Sequence, residues 1–346
     1  MKSLLVLGKG DSGYSDRNRA RLVGFAKKAG FDVQQADYHE INRVPGFQNE
    51  TINVMFFFPF TFWNAYCEVP QDTHLYGTSK SVYEKFRDYF LSTGSQLEDR
   101  FRGHQINYII PPEIAFIDRD KIETLRLLRA SGVPTPDQVS YTCLQDVIDP
   151  ISPKRGIFIK CRYGAEGKGI TALHHDRWVT NYRIEKDRLA NFGVYDTWQF
   201  SDITGRRELL EQLLENDVII EKEILAPGIL DGKKFDLRAY VVGRDMAHFF
   251  ARVNDPKKEI TNYSQGATII HHPLTGLGKD CIGLVRRTAI QAANAMGLKF
   301  VGVDIMFDES LDAPRVVEAQ CFADFPCIRK FNLPQYIIHD ASGLFL

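Results

Sequence analysis

Apolar positions along the chain fall into short runs that alternate with amphipathic stretches. Leu4 to Leu7, a polar helical stretch from Arg17 to Lys28, Gly30 and then Phe31 to Ala36 predict a β-α-β opening of a parallel sheet. Val54 to Trp63 (VMFFFPFTFW) predicts a buried strand running into a loop at Pro59, far too short to span a bilayer. An amphipathic helix is predicted from Ser79 to Leu91, and a strand from Tyr108 to Ile110 closed by Pro111 and Pro112. A second helix runs from about Arg119 to Ala130, with Ile122, Leu125 and Leu128 on one face and Gly132 beyond its end. Ile157 to Cys161 and Ile170 to Leu173 then flank the loop Arg162 to Gly169 as a hairpin. After a charged, poorly periodic stretch from Asp176 to Arg207, strands are predicted at Val218 to Ile224, Phe235 to Val242, Ala247 to Val253, Val301 to Phe307 and Arg315 to Ala319. The helix Lys279 to Met296, ended by Gly297, lies among them. The pattern predicts a mixed α/β (α+β) protein with an N-terminal lobe and a larger C-terminal one.

Polar residues inside the apolar runs carry the candidate chemistry. Glu318 and Gln320 project to one side of their strand, and Asp304 can join them from the neighbouring strand. Carboxylates in such surroundings need a partner. Either Mg²⁺, which favours oxygen donors and substrate phosphates, or an internal Arg or Lys supplies it. Lys160 ends a strand and is followed by Gly164, Ala165, Glu166, Gly167, Lys168 and Gly169, either a backbone cradle for phosphates or a plain hairpin tip. A strand-GxxxxGK[ST]-helix motif does not occur. In Lys234 to Tyr240, Phe235, Leu237 and Ala239 face one way, and Lys234, Asp236, Arg238 and Tyr240 the other; that charged face must meet solvent or an anionic ligand. With Arg252 on the next strand, two guanidiniums suit a phosphoryl group or a carboxylate, or else pair with Asp236 or Glu223. Gly8, Gly10 and Gly13 have the GxGxxG spacing, with Asp37 where a ribose-binding acid would sit. Tyr14-Ser15-Asp16 after the third glycine reads as a turn and N-cap, which favours a tight turn over a dinucleotide site.

Composition narrows the function classes. Forty-three basic and 44 acidic residues give a net charge of −1, which points to neither nucleic acid nor an anionic membrane. Six scattered cysteines fit reduced thiols in the cytoplasm, and Leu4 to Leu7 is too short for a signal-peptide core.

In chain order the candidates are Lys121, Lys160 with its glycine loop, Val218 to Ile224, the KKFDLR strand, Arg252, Thr261-Asn262, Asp304 and Glu318-Ala319-Gln320. Together they resemble the ATP-grasp superfamily of carboxylate–amine ligases. FIKCRYGAEGKGI, EKEILAPGILDGKKFDLRAYVV and EITNYS are similar to its tubulin–tyrosine ligase branch, and IETLRLLRASGVPTP to bacterial members. The resemblance covers roughly Asp118 to Pro326. It implies an ATP-grasp fold, with an N-terminal parallel-sheet domain over residues 1–115 and an ATP-grasp domain over 116–346 whose lid spans about 155–220.

The resemblance further implies that Lys121 and Lys160 bind ATP phosphates under the loop bearing Gly164, Gly167 and Gly169. Glu221, Lys222, Glu223 and Ile224 would form a hinge against adenine, partly through backbone groups, and Lys234 and Asp236 would reach the ribose or phosphates. Thr261 and Asn262 would touch phosphates, Arg238 and Arg252 would hold the substrate carboxylate and the transferring phosphoryl group, and Asp304, Glu318 and Gln320 would coordinate Mg²⁺. Two positions depart from the family pattern: Gln320 stands where Asn is usual, and Glu221 where Gln is common. The implied reaction phosphorylates a carboxylate, which an amine then attacks to give an amide, ADP and phosphate. The implied substrates are small molecules, an amino acid or a peptide-like acid by default. His248, His271, His272 and Glu166 are the nearby titratable groups for the amine's proton. An ATP-dependent kinase on the same scaffold and a non-catalytic nucleotide-binding module are the rival readings.

Overall fold

The computed structural model describes residues 1–8, 13–67, 75–191, 199–225, 232–263, 266–271, 277–308 and 311–346. Four parallel strands open the chain: β1 (Ser3–Leu7), β2 (Asp32–Ala36), β3 (Thr51–Phe56) and β4 (Gln105–Tyr108), in the order β2-β1-β3-β4. All five residues of β1 are buried, as a strand covered on both faces requires. Helix α1 (Gly13–Lys28) begins at Gly13, so Tyr14-Ser15-Asp16 are helical residues and not the turn and cap expected from their polarity. Gly10 lies outside the described residues. Asp37 caps the 3₁₀ turn Tyr38–Arg43, accepting from Tyr38 N at 2.8 Å.

Beyond β3 the aromatic run is helical and not a loop: α2 (Phe60–Phe62) leads into a π turn at Trp63–Cys67. Phe58, Trp63, Phe86 and Phe90 pack on one another there, with ring centroids between 5.1 and 5.8 Å. Helix α3 (Lys80–Arg100) runs well past Leu91, because Phe90, Thr93, Gly94 and Leu97 keep one face buried. β4 ends at Tyr108, two residues before the predicted strand end.

After α4 (Lys121–Ala130) and α5 (Leu144–Ile148), a small sheet forms from β5 (Ile157–Cys161), β6 (Ile170–Leu173) and β7 (Trp178–Thr180). The two-stranded β8 (Arg183–Glu185) and β9 (Arg188–Ala190), then β10 (Ser201–Asp202), α6 (Arg207–Leu214) and β11 (Val218–Lys222) complete this part, with the small sheet in the order β10-β7-β6-β5-β11. The charged stretch read as irregular thus carries four short strands. They are two or three residues long, too short to show a period, and all but β7 are partly or largely exposed.

The central sheet is antiparallel, β14-β13-β12-β15-β16, from β12 (Lys234–Val242), β13 (Asp245–Asn254), β14 (Thr268–Ile270), β15 (Phe300–Phe307) and β16 (Pro314–Gln320). Its apolar face, including Leu237, Ala251, Val303 and Val316, shares the main core with Val285, Ala289 and Ala292 of α7 (Lys279–Ala295). α8 (Leu333–His339) follows the short pairing of Cys327–Ile328 with Phe331–Asn332 and packs on α1. The small sheet has a separate core, in which Ile157, Ile159 and Leu173 meet Leu209, Leu210 and Leu213 of α6. Among the described residues no helix is long and apolar enough to cross a membrane.

Candidate functional site

A cleft of about 970 Å³ opens between the small sheet and the charged face of the central sheet. Strand alternation builds its two walls. On β5, Ile157, Ile159 and Cys161 are buried while Phe158 and Lys160 line the cleft. On the central sheet, register places Arg238 opposite Asp304, Asp304 opposite Glu318, and Asp236 opposite Arg252. A bulge between Asp304 and Ile305 shifts the pairing with β16 at this point.

The charged face is paired largely within itself and not left to bulk solvent. Asp236, Arg238, Arg252 and Asp304 are buried against one another, each less than a tenth exposed. Arg238 donates Nε and Nη2 to Asp304, the latter at 3.0 Å. Arg252 donates Nε to Asp236 at 2.8 Å, and Nη2 to both Asp236 and Asp304, reaching Asp304 at 2.8 Å. Burial opposes ionisation of Asp304, but the two guanidiniums outweigh it and hold its carboxyl below the usual range.

Glu318 faces the cleft with a different environment: the Gln320 amide donates to its Oε2 at 3.1 Å. Gln320 itself does not line the cleft. Among the described residues there is no cluster of three or more His, Cys, Asp or Glu suited to a metal, so a metal here would rest on two carboxylates and any amide.

The lysines converge from separate elements. Asp120 caps α4, accepting from Ile122 N and Glu123 N at 3.1 Å, and takes Arg162 Nε at 2.9 Å and Nη2 at 2.7 Å. That cap fastens the helix start to the glycine loop, where Lys121 Nζ donates to Gly164 O. Lys160 Nζ meets Glu221, 2.5 Å away and nearly buried. In the hinge, Lys222 N is donated to Asp137 O at 2.8 Å and Glu223 N to Gly156 O at 2.9 Å, so those two backbone donors are already used. Lys234 Nζ reaches Glu259 O at 3.0 Å and Lys258 O at 3.2 Å, and its burial lowers its pKa.

Gly164 and Gly167 line the cleft together with Thr261 and Asn262. Gly167, at φ +74°, lies so close to the Thr261-Asn262 turn that a Cβ there would meet Asn262 Nδ2 at 2.8 Å. Gly169 faces away, onto the Cys161 sulfur and the Tyr182 hydroxyl. Of the predicted set, Gly169, Arg238 and Gln320 therefore support the lining without forming it. Glu166 lines the cleft and pairs with Lys168 at 3.1 Å. His248 and His271 do not line it; His248 stacks on Phe331 at 4.4 Å. His272 lies outside the described residues.

Three contributors were not anticipated. Phe158, Ile170, Met306 and Val317 give the hinge end an apolar slot, legible in hindsight from the alternation of IFIKC. His174 and Glu259 form an ion pair at 3.0 Å behind the hinge. Arg119 is bound through Nε and Nη2 to Asp118 at 3.0 and 2.9 Å, under the Phe58 and Trp63 rings. Burial alone would lower its pKa, but Asp118 and the field of Glu318 raise it. A single arginine before a helix carries no sequence pattern that marks it.

No protein-family model and no curated protein matches the sequence. Among solved structures the chain is similar to the ATP-grasp ligase PsnB complexed with a minimal precursor, at 14% identity over 99% of each chain and a TM-score of 0.57. A PsnB complex with minimal precursor, Mg and ADP aligns at 13% identity over 99% of this chain and 97% of that one, with a TM-score of 0.56. The macrocyclase MdnC, bound with precursor peptide MdnA from Microcystis aeruginosa MRC, aligns at 12% identity over 98% and 99%, with a TM-score of 0.55. The chain has the ATP-grasp fold, and the likeness takes in the N-terminal sheet as well as the region from Asp118 to Pro326.

Proposed function

We propose that this protein is an ATP- and Mg²⁺-dependent ligase that joins a carboxylate to an amine through an acyl phosphate, releasing ADP and phosphate. The carrying observation is the polarity of the cleft: an apolar slot at the hinge passes into a charged end beneath a glycine loop. A flat base and a phosphate tail have that same polarity. The slot of Phe158, Ile170, Met306 and Val317 would take adenine beside the hinge carbonyls, while Lys121, Lys160 and Lys234 would face the tail.

Charge explains the need for a cation. Six basic and seven acidic side chains line the cleft, so a polyphosphate cannot be neutralised by the protein alone. Asp304 and Glu318, paired across β15 and β16, are oxygen donors at the charged end and fit Mg²⁺. Mg²⁺ bound there would neutralise phosphate oxygens and polarise the transferring phosphoryl group. Arg252 lines the same end, and Arg238 keeps Nη1 beside Gly302 while its other nitrogens hold Asp304. Arg252 would orient the carboxylate and stabilise charge during transfer, while Arg238 would hold Asp304 in place behind it. The glycine loop, resting on Asn262, would exclude water from the acyl phosphate until the amine attacks.

That PsnB and MdnC are solved with precursor peptides supports an amino-acid or peptide carboxylate as the acceptor. The test is phosphate release by purified protein with ATP, Mg²⁺ and pairwise mixtures of amino acids and short peptides, followed by product mass. Release should require both partners, and the product should have lost one water relative to them. Release driven by a polyol phosphate without any amine would overturn the ligase reading.

A further inference from the structure

We propose that His174 is a positioning residue, a protonated latch that holds the small sheet over the nucleotide cleft by bridging Glu223 and Glu259. The proposal rests on the nucleotide-binding reading of that cleft. His174 follows β6, and its Nε2 lies 3.0 Å from Glu259 while Nδ1 lies 3.5 Å from Glu223. Glu223 belongs to the hinge. Glu259 stands two residues before the Thr261-Asn262 turn, across the cleft. One imidazolium therefore touches the hinge residue at the base end of its own sheet and ties that sheet across the cleft to Glu259 at the phosphate end.

The surroundings are built for this contact. Arg177, from the same turn, reaches Glu259 at 3.0 Å. Lys234 of β12 sits on the Glu259 carbonyl. The Phe158 ring meets His174 edge-on at 6.4 Å. Asp176, Lys233 and Lys257 complete the charged rim of a second cavity on this side. Glycine at 156 makes room: a Cβ there would meet Leu173 O at 2.5 Å, His174 Nδ1 at 2.7 Å and Glu223 Oε2 at 3.2 Å. Gly156 N also donates to Glu223 at 2.9 Å.

The hydrogen bonds to Glu223 and Glu259 raise the His174 pKa from 6.5 to about 9. Closure therefore takes up a proton between those values. The latch is fully present below the ordinary histidine value and is lost as pH rises through about 9. One-proton coupling has a ceiling of roughly tenfold per pH unit, and solvent screening of the partly exposed ring reduces it to roughly threefold or more over the whole window.

The experiment measures ADP binding with Mg²⁺ by calorimetry from about pH 7 to about pH 9.5, for wild type, His174→Gln and Glu259→Gln. Wild-type affinity should fall at least about threefold across that range. His174→Gln should bind about threefold or more weakly at pH 7 and show a flatter profile, and Glu259→Gln should shift the wild-type transition to lower pH. Identical pH profiles for wild type and His174→Gln would overturn the latch. Absence of ADP binding at every pH would sink the nucleotide reading instead, and amide hydrogen exchange of residues 157–173 in the nucleotide-free protein then decides the latch by itself. Compared at equal pH, His174→Gln should exchange faster than wild type near pH 7 and alike near pH 9.5; equal rates near pH 7 would overturn it.

Discussion

Asp304 and Glu318 sit side by side in register yet live in different electrostatic worlds. Asp304 is 4% exposed and carries hydrogen bonds from two arginines. Removing its charge leaves two guanidiniums with too few acceptors, so Asp304→Asn should destabilise the fold by about 3–5 kcal/mol in urea unfolding. Its depressed pKa sets the sign with pH: the stabilisation holds above the ordinary value of 3.8 and disappears as pH falls through the lower folded value. Glu318, bonded to Gln320, should behave oppositely. Glu318→Gln should leave unfolding within about 0.5 kcal/mol of wild type. It should nevertheless slow phosphate release about a hundredfold, the scale for losing one charged group at a transferring centre. Equal effects of the two substitutions on stability would refute this division of labour. Alternation along VGVDIMF and RVVEAQ was enough to bring these acids together from sequence. It could not say that Asp304 satisfies an ion pair and faces the cleft at once, because those two readings looked like alternatives.

At the scale of elements, legibility followed length and burial. β12, β15 and α7 were readable because long apolar faces set their period, whereas β7, β8 and β10 offer two or three residues each. The hairpin of β5 and β6 was also readable, but the reason for its glycines was only partly so. Gly164 and Gly169 both crowd the Cys161 sulfur, so these glycines answer a packing demand as well as any phosphate. Gly164→Ala should therefore lower stability by about 1–3 kcal/mol through overpacking. Adding Cys161→Ala, which removes the obstructing sulfur, should recover part of that loss. A double-mutant cycle on thermal unfolding measures the coupling, and strict additivity would show that the sulfur is not the obstacle.

The whole molecule is organised by its two cores. One joins the parallel sheet, the central sheet and α7; the other, under the small sheet, is closed by Leu209, Leu210 and Leu213 of α6. Among the described residues, the ties between the small sheet and the body include Lys121 on Gly164, Arg162 on Asp120, Gly167 beside Asn262, His174 and Arg177 on Glu259, and the stacked rings of Tyr83 and Tyr163 at 5.4 Å. A unit with its own apolar core can open without unfolding the body. Leu210→Ala tests this. The side chain is fully buried, so the truncation should remove about 2–5 kcal/mol from the small core. Hydrogen exchange should then accelerate in β5, β6 and β11 while β12 and β15 keep their protection. On the proposed function, with ligand binding only the closed arrangement, Mg²⁺ and ADP at about a hundred times their dissociation constant should restore about 2.7 kcal/mol to the small sheet. If protection falls equally in both sheets, the two cores unfold as one body and the small sheet cannot act as an independent lid.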